Sequence, residues 1–105
     1  MSEINKIKII YFYSEFNDIS LKTRSVFKCF SNNNPSDSNI EIQMKNYDRE
    51  TELRERYGVI GTPETLIFCN QKMVKRHLGE VTSAELEQLV ITIEGRAFIA
   101  NGMVI

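Results

Sequence analysis

The sequence predicts an α/β fold: a mixed four-stranded sheet flanked by helices, in the order β-α-β-α-β-β-α. Three observations carry this. Residues 6–13 are a nearly unbroken run of β-branched and aromatic residues, which marks a central strand buried on both faces. Residues 40–45 alternate strictly between apolar and polar, which marks a half-exposed strand at a sheet edge. Around these runs, apolar residues recur at helical spacing.

The elements follow in order. The first strand, KIKIIYFY, ends at Ser14. From Asp18 the period changes, and Ile19, Thr23, Val26, Phe27 and Phe30 form a stripe opposite Lys22, Arg24 and Lys28. Asn17 or Asp18 is the expected N-cap, because a short side-chain oxygen accepts a free backbone N–H. Residues 31–39, SNNNPSDSN, are rich in turn formers and are read as a loop. In the second strand Ile40, Ile42 and Met44 share one face, and Glu41, Gln43 and Lys45 the other. Residues 48–57 are charged and helix-favouring, with Leu53 and Tyr57 one turn apart and Gly58 placed for a left-handed stop. Glu64 to Cys69 reads as a strand, Asn70-Gln71 as a tight turn, and Lys72 to Leu78 as an edge strand defended by its cations. Thr82-Ser83-Ala84-Glu85 is a capping box that opens a last helix with the stripe Leu86, Leu89, Val90 and Ile93. Gly95 is the expected end of that helix, before an apolar tail over 96–105. The first two strands, joined through a helix, are expected to be parallel with a right-handed crossover.

Composition narrows the function classes. The 105 residues suit one domain with one core, expected at about 6–94. Thirteen Lys and Arg against 14 Asp and Glu give a net charge of −1, which argues against a nucleic-acid binder. No apolar stretch reaches the roughly 18 residues a membrane span needs. The N-terminus lacks the pattern of a secretory signal, so a cytoplasmic setting is expected. There, Cys29 and Cys69 are expected as free thiols. No close-spaced ligand pair suggests zinc, and no cofactor is implied.

Several segments carry a resemblance to the thioredoxin-like family. Phe12-Tyr13-Ser14-Glu15-Phe16 is similar to the thioredoxin strand end Phe-Trp-Ala-Glu-Trp. Arg56-Tyr57-Gly58-Val59-Ile60-Gly61-Thr62-Pro63, with the strand after it, resembles that family's Lys-Tyr-Gly-Ile-Arg-Gly-Ile-Pro segment. Asn46, Asp48 and Gly79 also match. The resemblance spans roughly residues 6–94 and implies a minimal thioredoxin fold with a bare second-strand edge. It also implies a cis peptide bond before Pro63, in a loop that presents Thr62 to an extended peptide or thiol ligand.

That same resemblance places the family's Cys-Gly-Pro-Cys on Asn17-Asp18-Ile19-Ser20. Thiol–disulfide exchange needs a thiolate whose pKa is lowered at the helix start, and a second thiol to resolve the mixed disulfide. Neither is present. The buried acid of thioredoxins corresponds to Tyr11. Disulfide oxidoreductase activity is therefore not expected, and no catalytic residue is assigned.

The expected role is a binding module that takes a protein or peptide in a groove formed by Tyr13, Phe16, Thr62 and Pro63. The apolar tail is a second candidate contact, for a homodimer. One alternative is an enzyme that binds glutathione at the Pro63 loop and activates it with Ser14, Ser20 or Tyr13. Another is redox work through Cys29 or Cys69 alone. Each candidate also has a plain reading: helix capping for Asn17, Asp18 and Ser20, a buried hydrophobe for Cys29, and a solvated strand residue for His77.

Overall fold

The computed structural model describes residues 6–34 and 38–100, with side chains through Ile93. The apolar tail over 96–105, and the dimer contact expected of it, lie outside the residues whose side chains are described.

The elements are β1 (Ile7–Tyr13), α1 (Asp18–Asn33), β2 (Ile40–Asn46), α2 (Thr51–Tyr57), β3 (Glu64–Cys69), β4 (Lys72–Leu78) and α3 (Ser83–Ala100). The sheet order is β2-β1-β3-β4. β1 runs parallel to β2 and antiparallel to β3, and β3 runs antiparallel to β4. The sheet is therefore mixed, as expected, with β2 and β4 at its edges.

β1 is central because its side chains serve two cores. Ile7, Ile9 and Tyr11 join Phe27 of α1, Ile67 of β3, and Leu86, Val90 and Ile93 of α3 on one face. Ile10 and Phe12 join Val59, Leu66 and Phe68 on the other, under Tyr47, Leu53 and Tyr57. The period of two along β1 sends alternate residues into alternate cores. Ile40, Ile42 and Met44 of β2 pack against the first core only, which matches their alternation.

Local signals set the turns. Gly58 adopts φ +66° and ends α2, with its N–H reaching the Arg54 and Glu55 carbonyls. Asn70 and Gln71 both take positive φ, 50° and 73°, in the two-residue β3–β4 turn. At α3, the Thr82 N–H donates to Glu85 Oε1 at 2.9 Å and the Glu85 N–H donates to Thr82 Oγ1 at 3.2 Å. That reciprocal pair is the capping box.

Four expectations need correction. First, α1 does not stop near Phe30 but continues to Asn33. Adding residues to a formed helix is easy compared with starting one, so Ser31-Asn32-Asn33 follow on. The helix ends where Pro35 forbids it, because Asn34, the residue before the proline, is extended at φ −85°, ψ 125°. Second, α2 starts at Thr51 rather than at 48. Asp48 to Glu50 form a turn in which the Arg49 and Glu50 N–H groups both donate to the Asn46 carbonyl. Third, α3 passes through Gly95 and reaches Ala100. A glycine costs a helix about 1 kcal/mol, and Glu94, Arg96 and Ala97 around it are strong helix formers. Fourth, Ile19 leaves the α1 stripe and is half-exposed, while Ser20, Thr23 and Phe27 form the buried face.

Candidate functional site

The register of the sheet brings the site together. Phe12 of β1 pairs with Glu64 of β3, which in turn pairs with Leu78 of β4. The loop after β1, the Thr62-Pro63 segment before β3 and the end of β4 therefore share one end of the sheet. α1 starts there too.

The 14–17 loop is held by its own polar groups. The Ser14 hydroxyl donates to Asp48 Oδ2 at 2.7 Å and accepts the Phe16 N–H at 3.2 Å. Asp48 is oriented in turn, since its N–H donates to Asn46 Oδ1 at 2.9 Å. Asn46 Nδ2 then donates to Glu15 Oε1 at 3.0 Å. Asn46 and Asp48, noted in the sequence only as matches, thus tie the end of β2 to the start of α1. Ser14 and Glu15 were missed as their partners.

Asn17 is the N-cap of α1, with φ −130° and ψ 115°, and its Oδ1 accepts the Ser20 N–H at 2.9 Å. A position that could hold a nucleophile is occupied by an amide that satisfies one of the helix's free N–H groups. Asp18 is exposed in the first turn, where the helix dipole favours an anion. Ser20 is fully buried, beneath the surface.

Tyr11 lies below it at 0% exposure, stacked on Phe27 with centroids 4.5 Å apart. Its phenol donates to the Ser20 carbonyl at 2.6 Å. The Thr23 and Ser20 hydroxyls lie beside the phenol oxygen without completing a well-aligned bond to it. Burial pushes the Tyr11 pKa far above its ordinary value, so the group stays protonated. It is a fixed donor to backbone and cannot take up a proton.

The Thr62–Pro63 peptide bond is cis. Pro63 is buried, and its carbonyl accepts the Gly79 N–H at 2.8 Å. Thr62 is half-buried and makes no backbone hydrogen bond to another described residue. Next to it, Glu64 is buried and paired with Arg76 Nε, while Arg76 Nη2 donates to the Tyr57 carbonyl at 2.6 Å. The sequence marks Arg76 only as an edge charge; the cross-strand register alone reveals its partner.

Large apolar side chains are exposed at this end of the sheet. Phe16 is 89% exposed and Ile60 87% exposed, and Leu78 reaches over Gly61 at the same end. Ile60 and Leu78 carried no functional assignment in the sequence, and Ile19 was marked only as a position of the degenerate redox motif. Tyr13 is half-buried on the α1 side, against Tyr11 and under the Arg24 guanidinium at 4.8 Å from its ring.

The remaining candidates lie elsewhere. Cys29, expected to be buried, is exposed on α1, because the helix turns Phe27 rather than Cys29 to the sheet; Asn33 Nδ2 is 3.7 Å from its sulfur. Cys69 is half-buried at the end of β3. His77 is half-buried, with Nε2 3.1 Å from the Glu80 carbonyl. Among the described residues, no three His, Cys, Asp or Glu side chains group to hold a metal ion, and no helix is long and apolar enough to cross a membrane.

No protein-family model matches the sequence, and no curated protein matches it either. Solved structures do match. Thioredoxin-2 of the malaria parasite, a component of its protein secretion machinery, superposes with a TM-score of 0.75 at 16% identity, over 87% of this chain and 86% of that one. This chain has the thioredoxin fold. A mutant thioredoxin of Halobacterium salinarum superposes at TM-score 0.72 and 18% identity, over 84% and 74% of the two chains. Fasciola hepatica thioredoxin gives 0.73 and 15%, over 83% and 80%. At such identities the likeness speaks to the fold alone. Within the thioredoxin fold, this chain has two cysteines that are not a close pair, and neither stands at the start of α1.

Proposed function

We propose that this chain is a redox-inactive thioredoxin-like binding module, which takes an extended apolar segment of another protein at the end of the sheet around Thr62-Pro63. The observation that carries the reading is the exposure of Phe16 and Ile60, at 89% and 87%, in the two loops that share that end of the sheet. Large apolar groups left in water next to polar loops are a common mark of a protein-binding surface. The open backbone of Thr62 suits an extended peptide, which binds through main-chain hydrogen bonds and places alternate side chains in apolar contacts. Loss of redox work follows from chemistry: Asn17 and Ser20 supply no thiol, and the Tyr11 phenol supplies no base. A cytoplasmic setting, where Cys29 and Cys69 stay reduced, fits this role.

The test has two arms. Peptides selected from a random library on the intact chain should be rich in apolar residues. Their affinity should fall about tenfold or more in Phe16→Asp and in Ile60→Asp, and stay unchanged in Lys72→Ala. Selected peptides that bind both Asp variants as tightly as the parent would overturn the assignment. In an insulin-reduction assay the chain should show no turnover; turnover abolished by Cys29→Ser or Cys69→Ser would refute redox inactivity.

A further inference from the structure

The two edges of the sheet are built differently. β4 carries exposed Lys72, Lys75 and Arg76, and its pairing with β3 is interrupted by a register shift at Ile67/Phe68. Like charges and a bulge protect a strand edge from pairing with another chain. β2 has neither device.

The backbone of β2 shows which of its groups face outward. The Asn39 carbonyl accepts the Ile7 N–H at 2.9 Å, and the Tyr47 N–H donates to the Tyr13 carbonyl at 2.7 Å. In a parallel ladder each residue directs both backbone groups to one side, and successive residues alternate. Residues 41, 43 and 45 therefore bond to β1, while Ile40, Ile42, Met44 and Asn46 face away from it. The carbonyls at both ends of this outer row are engaged. The Ile40 N–H donates to Ser38 Oγ at 3.0 Å, and the Ile40 carbonyl accepts from Asn34 Nδ2 at 3.0 Å. The Asn46 carbonyl accepts the Arg49 and Glu50 N–H groups. Among the described residues, the backbone groups of Ile42 and Met44 remain, with the Asn46 N–H at the end of the row.

We propose that β2 is a homodimer edge: two copies pair antiparallel about a twofold axis at Gln43, with Ile42 opposite the partner's Met44. In that register each of the two Ile42–Met44 pairs exchanges both of its backbone hydrogen bonds, so the outward groups of Ile42 and Met44 are all used. The side chains select the same register independently. Glu41 falls opposite the partner's Lys45, and Lys45 opposite the partner's Glu41, at the non-hydrogen-bonded positions where cross-strand side chains come closest. A slip of two residues in either direction separates these charges and presents Ile40 or Asn46, whose carbonyls already accept hydrogen bonds. On the other face Ile42 and Met44, both half-buried, join the apolar layer of the partner. The twofold contact is closed, so it yields a dimer rather than a fibre. Its short length places it among weak, reversible interfaces.

The experiment measures self-association by sedimentation and NMR diffusion from about 10 μM to about 1 mM, the range in which such an interface is populated. The parent chain should shift from monomer to dimer. Glu41→Lys and Lys45→Glu, each alone, place like charges at both contacts and should weaken the dimer about tenfold. An equimolar mixture of these two variants should recover the parent's association, because opposite charges then meet at both positions. Circular dichroism checks that both variants fold. The amides of Ile42 and Met44 should gain exchange protection as concentration rises. A parent that stays monomeric at about 1 mM overturns the proposal. So do variants that associate like the parent, a mixture no better than its parts, or protection of Ile42 and Met44 that is independent of concentration, which would mean that another part of the same chain covers the edge.

Discussion

Replacing Tyr11 by phenylalanine removes one oxygen from the buried base of the site. That oxygen donates to the Ser20 carbonyl at 2.6 Å in a fully buried setting. The carbonyl sits in the first turn of α1, so it retains its helical partner four residues on and is not orphaned. The loss is then one net buried hydrogen bond, about 1 kcal/mol, rather than the larger penalty of a stranded polar group. For a chain of this size that corresponds to roughly 4 °C in Tm. Tyr11→Asp, which restores the acid that the resemblance places there, is a different perturbation. It deletes a ring stacked 4.5 Å from Phe27 and buries a carboxyl, and should cost more than about 3 kcal/mol. Urea unfolding followed by circular dichroism measures both, with m unchanged for Tyr11→Phe. Absorbance at 295 nm adds a check on protonation. Because Tyr11 should not ionise at its ordinary 10.0, the native-state absorbance change on raising the pH should be the same in Tyr11→Phe as in the parent. Because the folded pKa lies above the unfolded value of 10.0, this group's contribution is complete below pH 10 and is lost as pH rises further. A Tyr11→Phe loss above about 2 kcal/mol, or a smaller native-state absorbance change in Tyr11→Phe than in the parent, would refute the buried, protonated phenol.

Three further outcomes are expected. Arg76→Ala leaves the buried Glu64 carboxylate without its cation; with Arg76 itself partly exposed, the loss should be about 2 kcal/mol by denaturant unfolding, and Lys75→Ala should cost almost nothing. Gln71→Gly relieves a side chain at φ 73° in the β3–β4 turn and should stabilise by up to about 1 kcal/mol, read as a higher urea midpoint. At α3, the Thr82 N–H holds the Glu85 carboxyl below its ordinary 4.5, so its capping contribution is present above that pH and is lost as pH falls through the folded value. Exchange protection of the amides at residues 83–86, taken relative to their intrinsic rates, should fall on acidification, and Glu85→Gln, which keeps the acceptor oxygen but does not titrate, should remove that pH dependence.

Features that depend on near neighbours along the chain were legible in the sequence. Glu64–Cys69 and Lys72–Leu78 fall where the runs of strand-forming residues place them. Gly58, the Asn70-Gln71 turn and the Thr82–Glu85 box work through residues at most four apart, so composition and spacing suffice to read them. The missing redox pair was equally legible, since it depends only on which residue types stand at 17 and 20.

The sequence by itself thus determined the order of elements, the central place of β1, the exposed edge at β2 and the absence of a thiol where α1 begins. Tertiary structure decided which way α1 turns. Its apolar residues alone suggested a stripe through Ile19, with Cys29 beside it. The helix instead turns Ser20 inward beside Thr23 and Phe27, over Tyr11, whose buried phenol is satisfied by the Ser20 carbonyl. That rotation exposes both Ile19 and Cys29. Tertiary structure also decided the pairings of Ser14 with Asp48 and of Glu64 with Arg76, which join strands and loops distant in sequence. It set Phe16, Ile60 and Leu78 at one end of the sheet. Strand register brings such groups together, and register is a property of the pairing, not of any one segment.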